Sequence, residues 1–236
     1  QINSMGMRDR EYLPIKLLST YRILALGDSF TEGYSSELND SFIKQLEHKL
    51  NALPPKRGRK YEVANLGIAG FSPLLELLRF REFLHKLPGH FVLLNFDGSD
   101  FADDYFYEKG VIRDSDGTLM SVKHEGLLPP YPTYGRHFLE SLPDSPWRNI
   151  YLFRYVIWHW IRRTHGAWVQ KRLGDIEYDK YGWTRSNKNS ELVWQEQVKR
   201  TFDYIVQIRD LAVENGMTFA LSIHPTGHMI HPMAWC

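Results

Sequence analysis

The chain has 236 residues, of which 43% are hydrophobic and 24% charged, so a packed core is expected and disorder is not. Lys and Arg (29) nearly balance Asp and Glu (28), and the net charge of +1 gives no electrostatic basis for binding nucleic acid. The single cysteine, Cys236, excludes an intrachain disulfide, and neither a signal peptide nor a transmembrane segment is visible. Composition therefore indicates a globular domain and leaves membrane association, compartment and oligomeric state open.

Four short apolar segments are typical of buried strands, and helical patterns separate them. The strand-like segments are residues 22–26 (RILAL), 61–65 (YEVAN), 91–96 (FVLLNF) and 218–223 (TFALSI). Helices are expected after Ser41, after Ser72 with Pro73 at the first helical position, and before Gly216. This alternation predicts an α/β fold, a three-layer α/β/α sandwich around a parallel sheet, in a single domain of residues 1–236.

A long insertion is expected after the third strand. Residues 105–189 are rich in Pro, Gly, Trp and Tyr and lack a clean period, and we interpret them as a lid over the sheet. Within them, residues 150–163 resemble an aromatic helix. The aromatic stretch from Tyr151 to Trp168 is interpreted as core or lid packing, a sugar-stacking wall or an acyl-chain groove. Ser190 is then expected to cap a long helix with one apolar face, comprising Val198, Phe202, Ile205 and Ala212.

Chemically useful residues follow each predicted strand. In parallel sheets the carboxyl ends of the strands share one edge, where ligands bind. The four turns there contain Gly27-Asp28-Ser29, Gly67 to Gly70, Gly98-Ser99-Asp100 and His224. A serine in a tight strand-to-helix turn presents its hydroxyl and its own N–H at the helix start, which suits a nucleophile whose attack creates an oxyanion. The alternative is that Asp28 or Ser29 is simply an N-cap.

The first three turns together resemble the GDSL/SGNH hydrolase family. The segment RILALGDSFTEGY (residues 22–34) is similar to the first block of that family, and NLGIAG (65–70) and DGSDF (97–101) stand in the places of the second and third. The lead-in NSMGMRDREY (3–12) is also similar to a bacterial subgroup. The resemblance implies that Ser29 is the nucleophile, that the N–H groups of Ser29 and Gly70 bind the oxyanion, and that no cofactor is needed. Asp28 is expected to brace the loop by hydrogen bonding to backbone.

The third block departs from the family pattern. Ser99 stands where the family carries an asparagine whose amide is the third oxyanion donor, and loss of one such donor typically costs about 10²–10³ in rate. Asn95 is a weaker substitute because it lies inside the strand. Four aspartates lie in or near this turn: Asp97, Asp100, Asp103 and Asp104. We expect them to form a solvated acidic loop and no metal site.

The last family block, Asp-x-x-His, has no match after the fourth strand. The segment nearest to it runs from His228 to His231, with a histidine where the aspartate belongs. The favoured account is that the block lies beyond Cys236 and the chain is truncated. Two others are that His231, or else His224 or His228, is the general base, and that the protein is a pseudoenzyme. A zinc site on these histidines is disfavoured because a proline and a glycine interrupt any helix between them.

The expected function is hydrolysis of an acyl ester, with Ser29, Gly70 and Ser99 around the oxyanion and His231 as the fallback base. The resemblance implies small acyl esters, O-acetylated carbohydrates or lipids as the substrate class. Two alternatives stay open: a non-catalytic SGNH-like module that binds a polysaccharide or a protein, and a glycan O-acyltransferase.

Overall fold

The computed structural model describes residues 2–54, 58–123 and 188–224, with side chains from residue 195 in the last range. No helix within those ranges is both long enough and apolar enough to span a membrane. The elements in chain order are β1 (Thr20–Leu26), α1 (Ser29–Glu32), α2 (Phe42–Ala52), β2 (Lys60–Asn65), α3 (Pro73–Lys86), β3 (Phe91–Asp97), α4 (Asp100–Glu108), β4 (Val111–Arg113), β5 (Leu119–Val122), α5 (Lys188–Glu214) and β6 (Thr218–His224).

The main sheet is parallel, with the strand order β2-β1-β3-β6. Ile23 of β1 pairs with Phe91 of β3, and Asp97 at the end of β3 pairs with His224 at the end of β6. Each strand extends the predicted segment by one or two residues. The predicted α/β class is therefore confirmed, and the strand ends meet along one edge as expected.

Helices cover both faces of the sheet, which explains why the strands are apolar on both sides. On one face, α3 and α5 pack on β1 and β3 through fully buried Phe80, Phe83 and Ile208. On the other face, Ile43 of α2 packs against Val63 and its neighbours in the sheet. Each such side chain contributes about 1.5–3 kcal/mol when fully buried.

The chain after β3 differs from the expectation in three places. It enters α4 at once, and a small antiparallel pair, β4 and β5, follows within the segment interpreted as an insertion. Helix α5 begins at Lys188, so Ser190 lies inside it and is not its cap. Ile205 and Ala212 are buried as predicted, whereas Phe202 is 43% exposed. Residues 124–187, with the aromatic segment 150–163, lie outside the described residues.

The segment before β1 is tied to the sheet by a buried polar cluster. The Asp9 carboxylate lies 2.6 Å from the Lys44 ammonium and accepts hydrogen bonds from the Tyr12 hydroxyl (2.8 Å) and the Asn65 N–H (3.0 Å). Asp9 and Lys44 are buried, so their charges are compensated where water cannot reach them. The lead-in is therefore part of the folded domain and adjoins the end of β2.

Candidate active site

The turn after β1 can form only because residue 27 is glycine. Its φ is +151°, and a Cβ there would lie 2.1 Å from Thr31 Oγ1. Asp28 is the N-cap of α1, and its Oδ1 accepts a hydrogen bond from the Phe30 N–H at 2.9 Å. Asp28 therefore braces the loop as predicted, and the N-cap interpretation of this residue is correct as well. Burial raises the pKa of the Asp28 carboxyl.

Ser29 is the first residue of α1 and is half-buried at the sheet edge, so its side chain is not enclosed in the core. Helix α1 has four residues, a single turn, and a macrodipole of that length is small. The electrostatic help expected from a helix N-terminus therefore reduces to the backbone N–H groups at this turn.

The turn after β2 packs directly on the turn after β1, which carries Ser29. A Cβ on Gly67 would lie 2.6 Å from the Glu32 backbone nitrogen, so only glycine permits this approach. The Ile68 N–H donates to the Gly27 carbonyl at 3.1 Å, and the Ala69 N–H donates to Glu32 Oε2 at 2.8 Å. These contacts join the first and second turns into one unit.

Gly70 lies at the exposed end of the second turn. The turn is closed by a hydrogen bond from the Phe71 N–H to the Ile68 carbonyl (3.0 Å), and Gly70 has a φ of +80°, which favours glycine. Its carbonyl accepts a hydrogen bond from the Tyr107 hydroxyl at 2.6 Å. Tyr107 belongs to α4, so the helix that follows β3 also fixes the conformation at Gly70.

The third turn brings Ser99 into the buried edge. Ser99 is 6% exposed, and its N–H donates to Asp97 Oδ1, so the hydroxyl is the donor left for an oxyanion. The Asn95 amide donates to the Leu26 carbonyl at 3.1 Å and joins β3 to β1. Asn95 therefore has a structural role, which occupies one of the two N–H groups of its amide.

The expectation of a solvated acidic loop is wrong. Asp97, Asp100 and Asp104 are 6%, 1% and 0% exposed, because the turn runs directly into α4, which packs under α3 and α5. Asp104 Oδ1 accepts hydrogen bonds from the Ser72 hydroxyl (2.6 Å) and the Leu74 N–H (3.1 Å) at the start of α3. Burial raises the pKa of the Asp104 carboxyl to about 7.

His224 is the last residue of β6 and lies beside the turn after β1. Its ring is parallel to that of Phe30 at a centroid separation of 6.1 Å and lies 5.8 Å from the Phe42 ring. Among the described residues, its buried Nε2 has no hydrogen-bond partner. His228 and His231, the other candidate bases, lie outside the described residues.

Two residues that bear on this edge, Arg8 and Glu76, carry no sequence pattern that singles them out. The Arg8 guanidinium donates to the carbonyls of Glu32 (2.9 Å), Gly33 (2.7 Å) and Ser36, and so holds the chain that leaves α1. Arg8 lies in the lead-in whose resemblance to the family was noted, which was the available signal. Glu76 of α3 is 1% exposed, and nothing in the helical period separated it from a surface glutamate.

Comparison with known proteins gives a weak likeness in fold. No protein-family model matches the chain, and no curated protein matches it. Solved structures of the esterase AlinE4 are similar: AlinE4 itself, described as an SGNH-hydrolase family esterase, is 18% identical with a TM-score of 0.31, over 67% of this chain and 100% of that chain.

Two mutants of AlinE4 are similar at the same level. An aspartate-to-alanine mutant is 18% identical with a TM-score of 0.30, over 66% of this chain and 98% of that chain. A serine-to-alanine mutant is 24% identical with a TM-score of 0.31, over 36% of this chain, which spans only 44% of that one. The chain is thus distantly similar, in its α/β fold alone, to an SGNH-hydrolase family esterase.

Proposed function

We propose that this protein is a serine esterase that transfers an acyl group from an ester to water, with Ser29 as the nucleophile. The observation that carries the proposal is the joined pair of turns after β1 and β2. Gly27 and Gly67 permit a close approach there that no side chain would allow. Ser29 lies half-buried in this unit, between packed backbone and solvent.

The role proposed for each residue follows from the nucleophilic, basic or hydrogen-bonding group that it offers. Ser29 Oγ attacks the ester carbonyl carbon, its proton passes to a histidine, and the N–H groups of Ser29 and Gly70 bind the oxyanion, with the Ser99 hydroxyl as the third donor. The alcohol leaves with that proton, and water then hydrolyses the acyl-enzyme. The base is His231, or His224, whose buried Nε2 has no partner among the described residues.

The surroundings of Ser29 favour an ester with an apolar or ring-shaped part. Phe30 is 60% exposed and Tyr34 is 72% exposed, and both lie within five residues of Ser29. Exposed aromatic rings can contact an acyl chain or stack on a sugar. Acyl esters of small alcohols and of carbohydrates are the proposed substrate class.

A fluorophosphonate probe tests the proposal, because it labels only serines that are activated as nucleophiles. We expect labelling of the wild-type chain and hydrolysis of p-nitrophenyl acetate, with both lost in Ser29→Ala and retained in Ser115→Ala, a matched exposed serine in the turn between β4 and β5. A wild-type chain that is folded by circular dichroism but gives neither labelling nor hydrolysis would favour the non-catalytic binding module. Acyl transfer to an added sugar in preference to water would favour the acyltransferase.

A further inference from the structure

Helix α4 contacts the chain between β2 and α3 at two places. The Tyr107 hydroxyl donates a hydrogen bond to the Gly70 carbonyl at 2.6 Å. Asp104 Oδ1 accepts hydrogen bonds from the Ser72 hydroxyl at 2.6 Å and from the Leu74 N–H at 3.1 Å. Asp104 and Tyr107 are three residues apart, so they lie on the same face of the helix. One face of α4 therefore holds the chain from Gly70 to the first turn of α3.

The contact at Asp104 supplies the cap of α3. Ser72 is the N-cap residue of α3, but its side chain caps no N–H group of that helix. Its hydroxyl donates to Asp104, and Asp104 also accepts the Leu74 N–H, one of the N–H groups at a helix start that have no partner within the helix. Asp104 thus caps α3 from a neighbouring helix, and the place of the first turn of α3 depends on it.

Burial distinguishes Asp104 from Tyr107. Asp104 and both of its donors are fully buried, so water cannot take the place of the lost acceptor if Asp104 is removed. Tyr107 is half-buried, and its hydrogen bond to the Gly70 carbonyl is exposed, so water can replace the Tyr107 hydroxyl there. Asp104 is therefore the contact of α4 that solvent cannot replace.

The same helix carries the third turn. Ser99 is the N-cap residue of α4, and Asp104 lies five residues further along the chain, about 7.5 Å along a helix axis. Gly70 lies two residues before Ser72, which Asp104 contacts directly. Because α4 is a continuous helix of nine residues, its attachment to the start of α3 also sets the place of Ser99 relative to Gly70.

We propose that Asp104 is a positioning residue for ester hydrolysis, which holds the Gly70 N–H and the Ser99 hydroxyl at the separation that one oxyanion requires. The inference rests on the proposed esterase function. Because Asp104 is buried, it acts through α3 and α4 and not by contact with the substrate. Oxyanion donors act at about 2.7–3.1 Å, and a misplacement of about 1 Å can cost about 10²-fold in rate. A side chain that sets the separation of two donors therefore controls kcat.

Two substitutions at residue 104 test the inference through hydrolysis of p-nitrophenyl acetate by the purified full chain. Asp104→Ala removes the acceptor, and we expect kcat to fall about 10–100-fold with KM changed less than about threefold, because oxyanion donors act in the transition state. Asp104→Asn keeps an oxygen that can accept both hydrogen bonds, so it should retain at least about half of the wild-type kcat.

Asn51→Ala is the matched control for a loss of stability alone. The Asn51 side chain joins the end of α2 to Tyr61 by two hydrogen bonds of 2.9 Å, and Tyr61 lies at the end of the sheet opposite Ser29. Thermal unfolding should show a lower Tm for Asn51→Ala and a fall of about 5–10 °C for Asp104→Ala. Asn51→Ala should keep the wild-type kcat.

Amide hydrogen exchange of residues 68–74 is a measurement that does not depend on activity. Asp104→Ala should speed exchange in this segment about tenfold or more, because it frees the chain after Gly70 and the first turn of α3. Asp104→Asn and Asn51→Ala should leave exchange in this segment as in the wild type.

A folded Asp104→Ala variant whose kcat falls no more than that of Asn51→Ala overturns the inference. If Asp104→Ala does not fold, Ser72→Ala decides, because it removes only one of the two hydrogen bonds to Oδ1 and should lower kcat about threefold or more. An unchanged kcat and unchanged exchange in Ser72→Ala then overturn the inference. Absence of fluorophosphonate labelling in the wild-type chain refutes the esterase proposal instead, and exchange in residues 68–74 still decides whether Asp104 holds this turn.

Discussion

Among the described glycines with positive φ, Gly27 is the one at which an added methyl group is expected to disturb the turn after β1 most. The new Cβ would lie 2.1 Å from Thr31 Oγ1, 2.8 Å from Thr31 Cβ and 3.2 Å from Asn95 Cβ. Thr31 is fully buried and Asn95 is 4% exposed, so neither can move toward solvent. Alanine must also adopt a φ of +151°, which L side chains rarely do.

The loss of stability expected for Gly27→Ala has two contributions. A residue held in a sparsely populated backbone region costs about 1–3 kcal/mol, and overpacking a buried site costs about 1–3 kcal/mol more. The expected loss in the free energy of unfolding is therefore about 2–6 kcal/mol, a large share of the about 5–15 kcal/mol typical of a domain. Gly117→Ala is the matched control, because Gly117 has a φ of +80° with nothing within 4 Å and carries the backbone cost alone.

Urea unfolding followed by circular dichroism measures the loss in the free energy of unfolding. The rate of fluorophosphonate labelling measures the reactivity of Ser29. We expect Gly27→Ala to lower both, and Gly117→Ala to leave the labelling rate unchanged. Adding Thr31→Ala should recover part of the lost stability, because it removes the oxygen that the new methyl group meets. If Gly27→Ala lowers the free energy of unfolding no more than Gly117→Ala does, close packing does not stabilise the turn after β1.

Three further predictions concern the residues around the turns. Hydrogen bonding to charged and backbone donors holds the pKa of the buried Glu47 carboxyl below its usual value, against the opposing effect of burial. Glu47→Gln should therefore destabilise the protein at pH 7, and urea unfolding should show the difference shrinking as the pH falls below about 4; a constant difference would contradict this. Arg8→Ala should cost about 2–4 kcal/mol in urea unfolding and slow the labelling of Ser29, with Arg8→Lys intermediate because an ammonium lacks the forked donors of a guanidinium; equal stability of all three would refute the assignment. Tyr107→Phe should reduce kcat for ester hydrolysis about tenfold with less than about 1.5 kcal/mol of destabilisation, since it frees the Gly70 carbonyl at an exposed site, and an unchanged kcat would remove Tyr107 from the site.

Local patterns were sufficient to predict the four strands of the parallel sheet and the turns that follow them in chain order. Each strand is a short run that ends at, or within two residues of, a glycine, an aspartate or a histidine, and a parallel sheet must bring those ends to one edge. Gly27 and Gly67 were identifiable for the same reason, because a turn with a positive φ or a close backbone approach is a local demand for glycine. The bracing role of Asp28 also follows from its position before a helix.

Burial of charge could not be predicted in this way. Asp100, Asp104 and Glu76 look like solvated carboxylates in the sequence, because their burial depends on α4 packing against α3 and α5, which are far apart in the chain. Arg8 likewise reaches carbonyls more than twenty residues away. The sequence by itself determined the strands, the glycine turns and the place of Ser29, since each depends on neighbouring residues. Only the tertiary structure decided which charges lie out of water, because desolvation is a property of the packed whole.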